Sequence, residues 1–191
     1  MYRDAEQVLD LVHAIYQQPG SRQQWNRIMA GLQKLLALNN LTVVEVDVPT
    51  NLSRTLLHWD VQEKFVRLYD EQYSKINPVI RGGYVPIGKG TVAIDHEITP
   101  LEEIRKTETF VDFFEAQGSY HFMASILDIS PQVGHVLSAQ RAKKTGAFSR
   151  EDKSKMEIVT PHLSNRIVLE KRFELAGQAH GGLGAVLETQ R

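Results

Sequence analysis

The sequence predicts an α+β domain in which helices flank an antiparallel sheet and a long helix closes the chain. Three observations predict it. Segments of helical apolar spacing and segments rich in β-branched residues succeed one another as helix, helix, strand, strand, helix, strand, helix, strand, strand, long helix. Four of the five strand segments fall in two pairs joined by short turn clusters, the mark of antiparallel neighbours. Hydrophobic residues make up 42% and charged residues 24%, a mixture that fills a core and keeps a solvated surface.

Each element has its own signal. From Ala5 to Gln17, Val8, Leu11, Val12 and Ile15 repeat at helical spacing until Pro19-Gly20 ends the run. Ser21 suits the cap of a second helix, where Trp25, Ile28, Met29, Leu32, Leu35 and Leu36 line one face before Asn39-Asn40. Leu41, Val43, Val44, Val46 and Val48 then read as a strand, Pro49-Thr50-Asn51 as its turn, and Ser53 to Trp59 as the partner strand. Val61 to Tyr73 returns to helical spacing and stops before Asn77-Pro78.

Gly82-Gly83, Pro86, Gly88 and Gly90 predict a loop, followed by a short strand over Val92 to Ile98. Thr99-Pro100 and Glu102-Glu103 then signal a helix whose apolar face runs through Ile104, Phe110, Phe113 and Phe114 to Gly118. Tyr120 to Ile129 and His135 to Arg141 are a strand pair around the turn Ser130-Pro131-Gln132-Val133-Gly134. Ser149, with Glu151 and Asp152 behind it, caps a long helix that continues towards Ala176 and resumes from Leu183. Small sensory domains of the GAF and PAS kind share this order of elements.

Charge and cysteine content exclude several function classes. Lys and Arg number 22 against 23 Asp and Glu, a net charge of -1, so no basic excess is on hand to neutralise nucleic-acid phosphates. With no cysteine, there is no disulfide, thiolate metal site, iron–sulfur cluster or cysteine nucleophile. The first residues lack the apolar centre of a signal peptide and no apolar run approaches a membrane span, so a cytoplasmic protein with no membrane partner is expected.

Catalytic and cofactor motifs are not found. The glycines at 82, 83, 88 and 90 match neither a phosphate loop nor a dinucleotide fingerprint, and there is no Gly-x-Ser-x-Gly elbow. The histidines include no HExxH pattern, and His96 with Glu97 beside Asp95 would point to opposite faces if they lay in a strand. The acidic run Glu102 to Glu115, broken by Arg105 and Lys106, reads as a solvated helix face, and Arg141, Lys143 and Lys144 as a small basic surface cluster. No metal, cofactor or catalytic residue is therefore expected. A small α+β enzyme with His96 or His121 as base is the alternative, without support from spacing.

Aromatic residues offer the candidate site. Trp59, Phe65, Tyr69 and Tyr73 precede Asn77-Pro78, and Phe110, Phe113, Phe114, Tyr120 and Phe122 follow the glycine loop. Brought together over a sheet, Trp59, Phe65, Tyr69, Tyr73, Phe110 and Phe114 would wall an apolar cavity in which Ser125 orients a ligand. The same residues would equally serve as a filled core, giving a ligand-free interaction module. A second pattern concerns assembly. Met156, Val159, Leu163, Leu169, Phe173, Ala176, His180, Leu183 and Leu187 step mainly by three and four residues, a seam for a homodimer or for packing on the chain's own sheet, with Pro161 expected to kink the helix.

Taken together, Tyr73-Ser74-Lys75-Ile76-Asn77-Pro78, the stretch Thr107 to Phe114 with Gly118, Leu137 to Arg141, Phe148-Ser149 and Pro161-His162-Leu163 resemble the N-terminal sensory region of bacterial LuxR-type helix-turn-helix transcriptional regulators, GAF-like or PAS-like. The resemblance spans roughly residues 20 to 175. It implies a non-catalytic regulatory domain that answers a small-molecule effector, dimerises, and meets DNA only through a C-terminal helix-turn-helix that this chain lacks, as a fragment or a stand-alone relative. The expected division is an N-terminal helix over 1–20, a sensory domain over 21–148 and a dimerisation or linker helix over 149–191.

Overall fold

The computed structural model describes residues 2–81, 88–98 and 100–188, with the side chains of 4–81, 88–98 and 100–173. Helices α1 (Tyr2–Tyr16) and α2 (Arg22–Leu36) come first, followed by strands β1 (Asn40–Asp47) and β2 (Leu52–Trp59). Helix α3 (Glu63–Glu71), a 3-10 turn (Tyr73–Lys75) and α4 (Pro78–Arg81) lead to β3 (Val92–Ile94), α5 (Asp95–Ile98) and α6 (Leu101–Ile104). A π-helix (Thr109–Phe114) and a 3-10 turn (Glu115–Gln117) precede β4 (His121–Ile129), β5 (Val133–Arg141), a 3-10 turn (Lys143–Thr145) and α7 (Arg150–Glu188). The five strands form one sheet in the order β2-β1-β5-β4-β3, every neighbouring pair antiparallel.

Alternation along the strands splits the core in two. Leu41, Val43, Met123, Leu127, Leu137 and Ala139 face α1, α2 and α7, where Ile28, Leu32, Leu36, Met156, Val159 and Leu163 complete one buried cluster. Each such fully buried aliphatic side chain contributes roughly 1.5–3 kcal/mol. Val44, Val46, Ile126 and Val136 point the other way, towards the aromatic residues of α3 and the π-helix.

Two arginines fasten the helical layer. Arg141, buried under the Phe148 ring at 4.2 Å, donates to the Leu36 carbonyl at the end of α2 and to both Asp152 oxygens at the start of α7. Burial pushes the Asp152 carboxyl up, but hydrogen bonds from Arg141 and Ser149 outweigh it and hold the group below the usual carboxylate value. Arg166 of α7, fully buried, donates to the carbonyls of Ile15, Gln17 and Gln18 and so caps the end of α1.

Three sequence expectations are corrected. The strand expected over Val92 to Ile98 ends at Ile94, because the Asp95 carboxylate accepts the His96 N–H and Glu97 accepts the Ile94 N–H, winding 95–98 into a helical turn. The single helix expected from Pro100 to Gly118 is three pieces, ending where Gly118 takes a φ of 78° that a side-chain-bearing residue avoids. Met156, Val159 and Leu163, expected in a dimer seam, are instead fully buried against the chain's own sheet. Of the other seam residues, Leu169 is half-buried and Phe173 is 59% exposed, while the side chains of Ala176, His180, Leu183 and Leu187 lie outside the described residues. Helix α7 runs on through Pro161, which is exposed, as is Glu157, whose carbonyl the proline ring leaves without its helical donor. Gly82, Gly83 and Pro86 of the predicted loop also lie outside the described residues.

Candidate ligand site

A cavity of about 110 Å3 lies between the sheet and the aromatic helices. Its floor is the face of β1, β5 and β4 that carries Val44, Val136 and Ala124. Its wall comes from α3, which contributes Phe65 and Tyr69, and from the π-helix, which contributes Phe110, Phe113 and Phe114. Residues four apart on α3 lie on one face, so Phe65 and Tyr69 enter together, and Phe110, Phe113 and Phe114 do the same from the facing element. Phe113 sits at the hub, with ring centroids 4.9 Å from Tyr73, 5.1 Å from Phe114, 5.5 Å from Tyr69 and 6.0 Å from Phe65. Edge-to-face and tilted pairings at such distances fix the wall as a unit.

The polar groups of the wall are largely committed to one another. The Tyr69 hydroxyl is 2.8 Å from Ser53 Oγ and accepts from Asn77 Nδ2 at 3.2 Å, while Asn77 Oδ1 accepts the Val79 N–H at the start of α4. Burial, aided by the Asp70 charge, raises the Tyr69 phenol above its ordinary value against the pull of Ser53 and Asn77, so it is neutral near pH 7. Asp95 also borders the cavity, but it accepts the His96 N–H at 2.8 Å, and its second oxygen lies 3.4 Å from both the Phe122 N–H and His121 Nδ1. That carboxylate caps a helical turn and ties β3 to β4. His96 is largely exposed beside it. No group of three or more His, Asp or Glu side chains suited to a metal occurs among the described residues.

The sequence-predicted site residues divide. Phe65, Tyr69, Phe110 and Phe114 line the cavity, and Tyr73 supports it from behind through Phe113. Trp59 and Ser125 belong to the opposite face, which corrects their assignment. Trp59 lies opposite Leu41 in the register, packs on the helical core and donates its indole N–H to Gln33 at 2.9 Å. Ser125 alternates with Ala124 and so points to α7, where its hydroxyl is 2.7 Å from that of Thr160. Phe113 and Phe122, from the aromatic stretches read in the sequence, also line the cavity, while sequence reasoning left out Asn77, Ser138 and Gln140. Alternation from Leu137 and Ala139 was the available signal for the last two, since strand neighbours of core residues face the other way.

No family model matches the sequence, and no curated protein sequence matches it. Solved structures do match its fold. The ligand-binding domain of VqsR from Pseudomonas aeruginosa superposes with a TM-score of 0.65 at 15% identity, covering 88% of this chain and 96% of that one. The fold is GAF-like. An Acinetobacter GAF domain, from a phosphoenolpyruvate-protein phosphotransferase, gives a TM-score of 0.56 at 11% identity over 88% of this chain and 94% of its own. CepR2 from Burkholderia cenocepacia, an N-acylhomoserine lactone dependent LuxR family transcription factor, gives 0.60 at 11% identity over 88% and 99%. Sensory and regulatory domains predominate among these neighbours, although a free methionine-R-sulfoxide reductase from Neisseria meningitidis has the fold as well, with a TM-score of 0.53.

Proposed function

We propose that this chain is the sensory region of a LuxR-type transcriptional regulator and that it binds a small apolar molecule between its sheet and its aromatic wall, without catalysing a reaction on it. The observation that carries the proposal is the cavity itself. Five aromatic side chains from two separate helical segments converge on one sheet face and leave about 110 Å3 open instead of closing on the floor. Filling such space recovers dispersion contacts and apolar burial that an empty cavity forgoes. The likeness to the ligand-binding domain of VqsR and to CepR2, an N-acylhomoserine lactone dependent regulator, supports the same reading at the level of fold.

In this reading the domain acts in the cytoplasm as a homodimer, and DNA is reached through a helix-turn-helix carried elsewhere. Helix α7 is the route from cavity to output, since it packs on β3 and β4, whose Ala124 borders the cavity. With Met156, Val159 and Leu163 taken by the core, the dimer seam falls to Leu169, Phe173 and the outward Ile158, 55% exposed. Thermal unfolding with toluene tests the ligand site. At ten times its Kd, a native-state ligand adds about 1.4 kcal/mol, a rise of roughly 3–6 °C in Tm for a chain of this size. Phe114→Ala and Tyr69→Ala are expected to weaken that rise, and no shift with any small apolar ligand would refute the proposal.

A further inference from the structure

The cavity floor is apolar at one end and polar at the other. Thr42 lies opposite Ser138 in the β1 and β5 register, Asn40 lies opposite Gln140, and all four side chains share the cavity face. Two of them are unusual. Gln140 is 4% exposed and Asn40 2% exposed, yet Gln140 Oε1 and Asn40 Oδ1 receive no hydrogen bond from the protein. Their amide nitrogens are placed, Gln140 Nε2 towards Ser138 Oγ at 3.5 Å and Asn40 Nδ2 on Ser119 Oγ at 3.0 Å. Two buried amide oxygens, on residues paired across adjacent strands, thus have no protein donor. Leaving such an acceptor unsatisfied is costly, and native proteins rarely do so without a purpose. Gln140 borders the cavity directly, and its terminal torsion is soft enough to turn Oε1 into the open space while the stem stays in place.

Building on the ligand site proposed above, we infer that Gln140 is its specificity-determining residue and that the ligand is a small, neutral, single-ring aromatic carrying one O–H or N–H donor, of the phenol or aniline type. The ring follows from the walls and from the volume. Phe113 and its neighbours offer faces and edges to a planar molecule, and about 110 Å3 suits one ring better than a long chain. Neutrality follows from Asp95, the carboxylate bordering the cavity, whose oxygens are already engaged by backbone N–H groups and His121. The donor follows from the unpartnered Oε1 of Gln140, which lines the cavity.

Phenol and fluorobenzene, nearly equal in size, separate these claims when titrated calorimetrically into the full chain. Phenol must desolvate its hydroxyl to enter, so it is expected to match or exceed fluorobenzene only if Gln140 receives the proton. In Gln140→Met, which keeps the side-chain length, phenol affinity is expected to fall at least tenfold while fluorobenzene is unchanged, the equivalent of one net hydrogen bond. Fluorobenzene binding with phenol excluded from the wild type would overturn the donor assignment and assign the two oxygens to bound water, leaving the apolar ligand site intact. Phenol affinity unaffected by Gln140→Met would overturn the role of Gln140. Binding of neither compound would overturn the ligand site itself. A crystal structure of the wild-type chain with phenol provides a readout independent of the variant's folding: its hydroxyl is expected about 2.7 Å from Gln140 Oε1, and any other pose refutes the assignment.

Discussion

Replacing Arg166 by methionine is expected to destabilise the fold by about 3–5 kcal/mol, the range for removing one partner of a buried, hydrogen-bonded charge pair. The guanidinium is wholly buried, donates from Nε to Glu170 at 2.6 Å and from its two terminal nitrogens to the carbonyls of Ile15, Gln17 and Gln18 at 2.8, 2.6 and 3.1 Å. Methionine fills much of the same space, so the loss is chiefly polar. Gln17 and Gln18 are exposed and their carbonyls can turn to water, whereas Ile15 is fully buried and its carbonyl has no such escape. Glu170 keeps the Gly20 N–H at 2.6 Å but loses its counter-charge. For a chain of 191 residues the loss corresponds to a fall in Tm of roughly 6–20 °C. Arg166→Lys keeps the charge but not the fork, and is expected to recover less than half. Urea unfolding followed by far-UV circular dichroism and by Trp25, whose ring lies 5.5 Å from the guanidinium, measures both. A loss under about 1 kcal/mol for Arg166→Met would refute the clamp, since the orphaned Ile15 carbonyl alone should cost that much.

Two further expectations test the assignment of faces and charges. Ser125→Ala removes a 2.7 Å contact with Thr160 in the helical core, and should cost about 1 kcal/mol in urea unfolding while leaving fluorobenzene affinity unchanged; a lost affinity would return Ser125 to the ligand site. His135 is 4% exposed, and burial, reinforced by Lys171 against the opposing pull of Glu45 and Asp128, holds its imidazole below the ordinary 6.5. The unfolded chain therefore binds the proton first on acidification: the contribution of neutral His135 is complete above about pH 6.5 and is lost as pH falls towards the folded value. Wild type should thus lose more stability than His135→Asn between pH 6.5 and 5, and identical slopes would show that His135 titrates as in the unfolded chain.

The order of elements was legible because each was signalled locally. Apolar spacing in α1 and α2, β-branched runs in β1, turn residues at 49–51 and 130–134, and the Ser149 entry to α7 act over a few residues each, and the β1–β2 and β4–β5 pairs followed from their turns. Where a side chain bonded its own backbone, the local signal misled: Asp95 and Glu97 wound a turn where β-branched Val92 and Ile94 suggested a longer strand.

Sequence by itself determined that α3 and the 107–118 stretch would supply aromatic side chains, because residues three and four apart on a helical segment must share a face. Which sheet face they met was decided only by tertiary structure. One step along a strand reverses a side chain, so Ser125 and Trp59 went to the helical core while Ala124, Ser138 and Gln140 went to the cavity. The seam on α7 was ambiguous for a related reason. A three-four repeat states that a face is buried without naming its cover, and the sheet claimed Met156, Val159 and Leu163 before any second chain. Long-range polar partners were equally beyond local pattern: Arg166 meets Ile15 across 151 positions of sequence, and Gln140 meets Asn40 only because β5 pairs with β1.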